Sequence, residues 1–129
     1  MTETSIAFQK EIPILRSFSE EKAKEFYRDY LGFTVDWEHR FEPGTPLYMQ
    51  VSRGTLTFHL SEHHGDAVPG AGIYVEMTGL RALLEELQVK GYKYQRPEMQ
   101  ETDWGTYIVT LTDPFGNRIR LNEKKQQPE

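Results

Sequence analysis

Two kinds of hydrophobic spacing alternate along this chain, and the order runs twice. Ile6 to Leu15 alternates loosely, with Ile12, Ile14 and Leu15 spaced as in a strand. Ser17-Phe18-Ser19-Glu20-Glu21 then reads as a helix start. Ser17 or Ser19 suits the N-cap, and the acids fall in the first turn, where the helix dipole favours them. Ala23, Phe26, Tyr27, Tyr30 and Leu31 follow at helical spacing, and Gly32 suits the residue just past the helix end. Phe33 to Phe41 predicts a strand, and Glu42-Pro43-Gly44-Thr45-Pro46 a turn. Leu47 to Val51 and Leu56 to Leu60 predict two more strands, with a hairpin turn over Ser52-Arg53-Gly54-Thr55.

Ser61 to Gly70 is polar and rich in Gly, Pro and His, as in a solvated linker. After it the order repeats. Ile73 to Met77 predicts a strand, and Leu80, Leu83, Leu84 and Leu87 a helix that Gly91 ends. Tyr92 to Arg96, Thr106 to Leu111 and Arg118 to Leu121 predict strands, and Asn122 to Glu129 a polar tail. Laying Gly32-Phe33 over Gly91-Tyr92 gives an offset of about 59 residues and brings the other elements nearly into phase. The pattern is β-α-β-β-β twice, an α+β chain forming one domain over residues 1–129. Module one covers about 6–62, the linker 61–70, and module two about 71–123.

A chain of 129 residues is long enough to bury a core. It has no cysteine, which excludes disulfide and thiol chemistry. No apolar run is long enough to span a bilayer, and the first residues lack a basic-then-apolar leader, so no membrane partner and a cytoplasmic location are expected. The net charge of −5 argues against nucleic acid. It suits a cationic ligand, or simply solubility. Ser-His-Asp spacing, phosphate loops and nucleotide fingerprints are absent.

Asp113-Pro114-Phe115-Gly116-Asn117 would form a turn leading into the last strand. Phe26-Tyr27-Arg28-Asp29-Tyr30-Leu31-Gly32-Phe33 would end a helix and open a strand. Together these resemble the two anchor motifs of the vicinal oxygen chelate superfamily, the glyoxalase, bleomycin-resistance and dioxygenase group. The resemblance implies two βαβββ modules, each curling a mixed sheet around a cleft with its helix outside. Two halves must then face each other, within one chain or between two. It also implies where enzymes of the group hold a metal, on the first and last strands of each half. By register those positions fall on Ile12, His59, Gly72 and Arg120. Only His59 offers a donor, and a guanidinium opposes a cation. No metal and no cofactor are therefore expected, nor the metal-dependent activities of the group.

What remains resembles the bleomycin-resistance branch, which sequesters its drug without chemistry. Ile12-Pro13-Ile14-Leu15-Arg16, Leu56-Thr57-Phe58-His59-Leu60-Ser61 and Asp103-Trp104-Gly105 are similar to that branch's first strand, its His-bearing strand and the segment shaping its drug groove. Trp104, with Glu101 and Asp103 beside it, would stack on a planar ring while the acids attract a cationic tail, or else pack at a subunit contact. Trp37 and Phe41 share a strand face with His39, either lining the cleft or packing in the core. Tyr48 and Tyr107 complete the candidate lining. His59 points to the cleft if Phe58 and Leu60 point to the helix. Arg120 would face it, binding an anionic group or, preferably, pairing with an acid. Glu62-His63-His64-Gly65-Asp66 has metal-like composition, but adjacent side chains rarely converge on one ion.

The expectation is a metal-free homodimeric binding protein for a bleomycin-type glycopeptide antibiotic or a similar cationic heteroaromatic ligand, held at a dimer-interface cleft and not turned over. The competing expectation is a lyase- or isomerase-like enzyme of the same fold acting on a small metabolite, with His59 as general base and Arg120 as oxyanion stabiliser. A third is a structural or regulatory module whose cleft is filled by its own side chains.

Overall fold

The computed structural model describes residues 5–126. The elements are β1 (Ile14–Arg16), α1 (Glu20–Ala23), which runs on as a π-helical segment Lys24–Tyr30, β2 (Thr34–His39), β3 (Tyr48–Arg53), β4 (Leu56–Ser61), β5 (Gly72–Glu76), α2 (Leu80–Lys90), β6 (Gln100–Glu101), β7 (Thr106–Thr112) and β8 (Arg118–Lys124). They build two four-stranded sheets of orders β1-β4-β3-β2 and β5-β8-β7-β6. In each, the first strand pairs parallel to the last and the other pairs are antiparallel. This is the mixed-sheet βαβββ pattern expected from the hydrophobic spacing.

Three predicted strands are corrected. Of the Ile6 to Leu15 stretch only Ile14 and Leu15 are strand, in a β1 that ends at Arg16. Pro13 lacks an N–H, and its carbonyl, accepting from His59 N at 2.9 Å, is the last backbone link to β4 on that side. Tyr92 to Arg96 is irregular, and the strand falls at Gln100–Glu101 instead. Tyr92 is committed to stacking on Tyr30 at 4.5 Å, and the Gln95 amide occupies both backbone groups of Thr112 (2.7 and 3.1 Å), where a strand's backbone would have paired. At the C-terminal end, Asn122–Lys124 continues β8 rather than starting a tail; residues 127–129 lie outside the described residues.

Ser19 is the N-cap of α1, its hydroxyl accepting from Lys22 N at 3.2 Å. Ser17 is buried and bonds to β4 through its N–H. Gly32 and Gly91 follow the two helices at φ +75° and +64°, the left-handed geometry that the repeat predicts for both. Gly54 turns the β3–β4 hairpin, in which Arg53 pairs with Leu56.

One face of each sheet is apolar. Leu15, Met49, Val51, Phe58 and Leu60 of the first sheet and Val109, Leu111, Ile119 and Leu121 of the second are buried in one hydrophobic cluster with Phe26, Tyr27 and Tyr30 and with Leu80, Leu84 and Leu87 of α2. Asp113 joins the halves. Its Oδ1 accepts Phe115 N and Asn117 N (2.9 and 2.8 Å), and its Oδ2 accepts the Tyr27 hydroxyl (2.6 Å) and Asn117 Nδ2 (2.8 Å). Asn117 also donates to the Arg16 carbonyl. The turn motif is therefore a clamp between modules as well as a turn.

Candidate functional site

Strand alternation sends every second side chain away from that common core. On the first sheet the outward row across the strands is Ile14, His59, Gln50 and Trp37, in register. A bulge at Asp36 shifts β2 by one residue and puts Trp37 and His39, rather than their neighbours, on this face. Trp37 stacks on Tyr48 with centroids 5.9 Å apart and planes 6° apart, and both meet the His59 ring edge-on at 5.2 and 5.1 Å. Trp37 is still 42% exposed, so this aromatic wall has a free side.

A chain of hydrogen bonds orients the wall. Gln50 Nε2 donates to Asp36 Oδ2 (3.1 Å), His59 Nε2 donates to Gln50 Oε1 (3.0 Å), and the Tyr48 hydroxyl donates to His59 Nδ1 (2.6 Å). The sense follows from chemistry. A carboxylate only accepts, so the Gln50 amide nitrogen must face it and the amide oxygen must face the imidazole. Hydrogen bonds from Ser52 and Gln50 hold the Asp36 carboxyl below its usual range. Burial lowers His59 and raises Tyr48, the latter also through the nearby Asp66 charge. His59 is thus a neutral imidazole with both nitrogens occupied.

The second sheet presents a different outward face. Tyr74 of β5 lies in register with Arg120 of β8, and Gly72 with Arg118. Gly72 leaves room for the guanidinium: a Cβ there would stand 3.0 Å from Arg120 Nη1. Trp104, 65% exposed, donates its indole N–H to the Tyr74 hydroxyl at 3.2 Å. Arg120 joins no ion pair among the described residues, so the expected pairing with an acid is corrected.

The other predicted lining residues divide. Tyr107 alternates to the inner side, packs against the core and lies under the Lys125 ammonium. Glu101 pairs with the same Lys125 at 3.3 Å, and Asp103 is exposed beside Trp104. Phe41 lies past the end of β2, 76% exposed, edge-on to His39 and His63. Sequence reasoning missed Gln50, Asp36 and Tyr74. The strand register would have placed Gln50 beside His59, but the Asp36 bulge and the Trp104 contact are tertiary.

The linker is exposed over most of residues 64–70 but is tied down at its start and at Asp66. Asp66 accepts the Ser61 hydroxyl, Glu62 accepts Leu47 N, and the His63 carbonyl accepts Arg16 Nη1. Among the described residues no three metal-ligating side chains converge. The donor set at the four expected positions does not suit a divalent metal: Ile12, which falls before β1, and Gly72 offer none, His59 is engaged on both nitrogens, and Arg120 brings a positive charge.

Since both apolar faces share one core, the His59 and Arg120 faces look outward and do not oppose each other within this chain. A cavity of about 850 Å³ lies between the modules along the edges of β4 and β5, and the Arg53–Glu86 ion pair is in its wall. It touches Tyr74 but not Trp37, His59, Trp104 or Arg120. The convergent aromatic and polar groups, rather than this hollow, make the candidate site. No described helix is long and apolar enough to cross a membrane.

Comparison with known proteins bears on the same fold. No curated protein matches the sequence. The structure is similar to a bleomycin-binding protein complexed with bleomycin (TM-score 0.69, 21% identity, covering 92% of this chain and 100% of that one). It is similar to a glyoxalase-related enzyme from Clostridium phytofermentans (TM-score 0.73, 20% identity, 95% and 99% covered). It is also similar to TnmS3, an antibiotic binding protein from Streptomyces sp. CB03234 (TM-score 0.65, 22% identity, 93% and 100% covered). At these identities the likeness is one of fold. The sequence model described as "Glyoxalase superfamily protein" matches residues 1–128, and with the paired βαβββ modules it places this chain in the glyoxalase superfamily.

Proposed function

We propose that this chain is a binding protein that sequesters a bleomycin-type glycopeptide antibiotic or a similar heteroaromatic small molecule, in clefts formed where two copies meet. One observation carries the reading: the exposed aromatic groups of both sheets stand on faces turned away from the core, each half of a container. A second copy would bring a first-sheet face opposite a second-sheet face. A planar ring would then insert between Trp37 and Tyr48 on one side and Trp104 on the other, burying apolar surface on both ring faces.

The hydrogen bonds on both His59 nitrogens support binding over catalysis. A general base needs a free lone pair aimed at the substrate, and the His59 lone pair takes the Tyr48 proton. The solved neighbours that are named for binding bleomycin or an antibiotic add a fold-level analogy.

The test is a titration of metal-free and copper-loaded bleomycin into the purified protein, following tryptophan fluorescence and recovering the drug afterwards. Saturable quenching with intact drug is expected, and Trp104→Ala is expected to weaken binding by about tenfold or more. No response at high drug concentration, or unchanged affinity in Trp104→Ala, overturns the reading.

A further inference from the structure

We infer that the outward face of the second sheet is an anion subsite, in which Arg120, laid over Gly72 beside Tyr74 and Trp104, takes the carboxylate of an aromatic acid. The inference rests on reading this face as a ligand face, not on the identity of the drug. It also reverses the sign of charge that the acidic composition suggested for the ligand.

Four observations converge. Arg120 carries a permanent charge with no carboxylate partner among the described residues, and two acids of the same sheet are paired elsewhere, Glu101 with Lys125 at 3.3 Å and Glu76 with Lys124 at 3.8 Å. Arg118, two residues earlier on the same strand face, adds a second cation. Gly72 is not in the left-handed region, so its backbone does not demand glycine. What the missing side chain provides is a berth that a Cβ would close to 3.0 Å. A guanidinium resting there presents its planar fork to one side, the geometry that matches a carboxylate.

Tyr74 supplies the fourth. Its oxygen accepts the Trp104 indole N–H, so its own O–H remains to donate. Tyr74 is 52% exposed and directly in register with Arg120. Tyr74 thus adds a neutral donor to the face that carries Arg120, and the ring of the proposed acid would extend from Arg120 toward Trp104. Asp103, next to Trp104, is the one exposed acid of that loop and joins no ion pair among the described residues. It sets an orientation: the acid end of the ligand belongs at Arg120, not at the loop.

The experiment uses the full-length ¹⁵N-labelled chain and three isosteric probes: 2-naphthoate, 2-naphthamide and 2-naphthylmethylammonium. The indole N–H of Trp104 and the Nε–H of Arg120 are followed by NMR. The expected result is saturable movement of both signals with naphthoate, at an affinity about tenfold or more above the amide, as a charge-assisted hydrogen bond implies. The ammonium should bind more weakly than the amide. Arg120→Met should remove the preference for the acid, and Gly72→Ala, which displaces the guanidinium while leaving the charge, should reduce it. Unchanged spectra elsewhere certify that the variants fold. Equal binding of acid and amide, tighter binding of the ammonium, or a preference that survives Arg120→Met overturns the subsite. Bleomycin titrated into the same samples separates the two proposals. Drug binding without acid preference overturns only the subsite. Acid preference without drug binding supports the subsite and overturns only the drug reading.

Discussion

His59 is held at both ring nitrogens. The Gln50 amide, oriented by Asp36, accepts its Nε2 proton, and the Tyr48 hydroxyl fills its Nδ1 lone pair. Burial lowers its pKa, so the unfolded chain takes up the proton at a higher pH than the folded one. Stability contributed by the neutral ring is present above about pH 6.5 and is lost as pH falls through the folded pKa. The expected NMR titration shows a midpoint below the usual imidazole value and the Nε2–H tautomer at neutral pH; a midpoint at or above about 6.5 contradicts the burial effect, and the Nδ1–H tautomer contradicts the hydrogen-bond chain. Asp113 is the opposite kind of residue, buried and purely structural. Its Oδ2 accepts the Tyr27 hydroxyl, whose pKa burial and the Asp113 charge push well above the ordinary value. Asp113→Ala strands two backbone N–H groups, the Tyr27 hydroxyl and the Asn117 amide, and is expected to cost about 3 kcal/mol or more in urea unfolding. A loss under about 1 kcal/mol would mean that water replaces the clamp freely.

At the scale of elements, the two helices end alike but in unlike surroundings. Gly32 and Gly91 both hold positive φ, so an alanine at either is strained by about 1 kcal/mol. At Gly91 a Cβ would meet nothing within 4 Å, whereas at Gly32 it would stand 3.2 Å from Arg53 Nη1. That guanidinium holds both the Leu31 carbonyl and Glu86 of α2. Gly32→Ala is therefore expected to lower the melting temperature more than Gly91→Ala, and equal losses would show that Arg53 yields without cost. At the other end of α1, Ser19→Ala removes the only side-chain cap of a short helical turn and is expected to cost about 1 kcal/mol. The α1 region carried a clear sequence signal because cap, apolar spacing and terminal glycine agree. The π-helical widening over Lys24–Tyr30, where Leu31 N reaches back to the Phe26 carbonyl, left no such signal.

For the whole molecule, the consequence of one shared core is that the two candidate half-sites point apart. If clefts form between copies, a Trp37→Ala chain mixed and refolded with a Trp104→Ala chain should regain binding. One of the two clefts in each heterodimer then contains neither substitution, giving about half the wild-type stoichiometry in heterodimers separated by affinity tags. Failure of the mixture to bind, while each wild-type chain does, would place the ligand within one chain. Sedimentation of the wild-type protein should report a dimer at the concentrations that bind ligand.

The sequence by itself determined most of the elements and their order in two modules, because spacing of apolar residues, caps and turn glycines are local and mutually consistent. It determined the outward position of His59, since Phe58 and Leu60 are the apolar partners in a period of two. It determined that Ile12, Gly72 and Arg120, three of the four positions at which the resemblance puts a metal, carry no metal-donor side chain, since that is a matter of residue type. Tertiary structure decided the rest. Only the Asp36 bulge turns Trp37 onto Tyr48, only the packing of Tyr92 on Tyr30 takes its segment out of the sheet, and only the approach of two strands shows that the space at Gly72 belongs to Arg120. Each of these depends on which atoms meet across long stretches of chain, and hydrophobic period carries no information on that. The sign of the charge presented to a ligand is the sharpest case. Composition is acidic, yet Arg120 joins no ion pair among the described residues and stands on the outward face of its sheet.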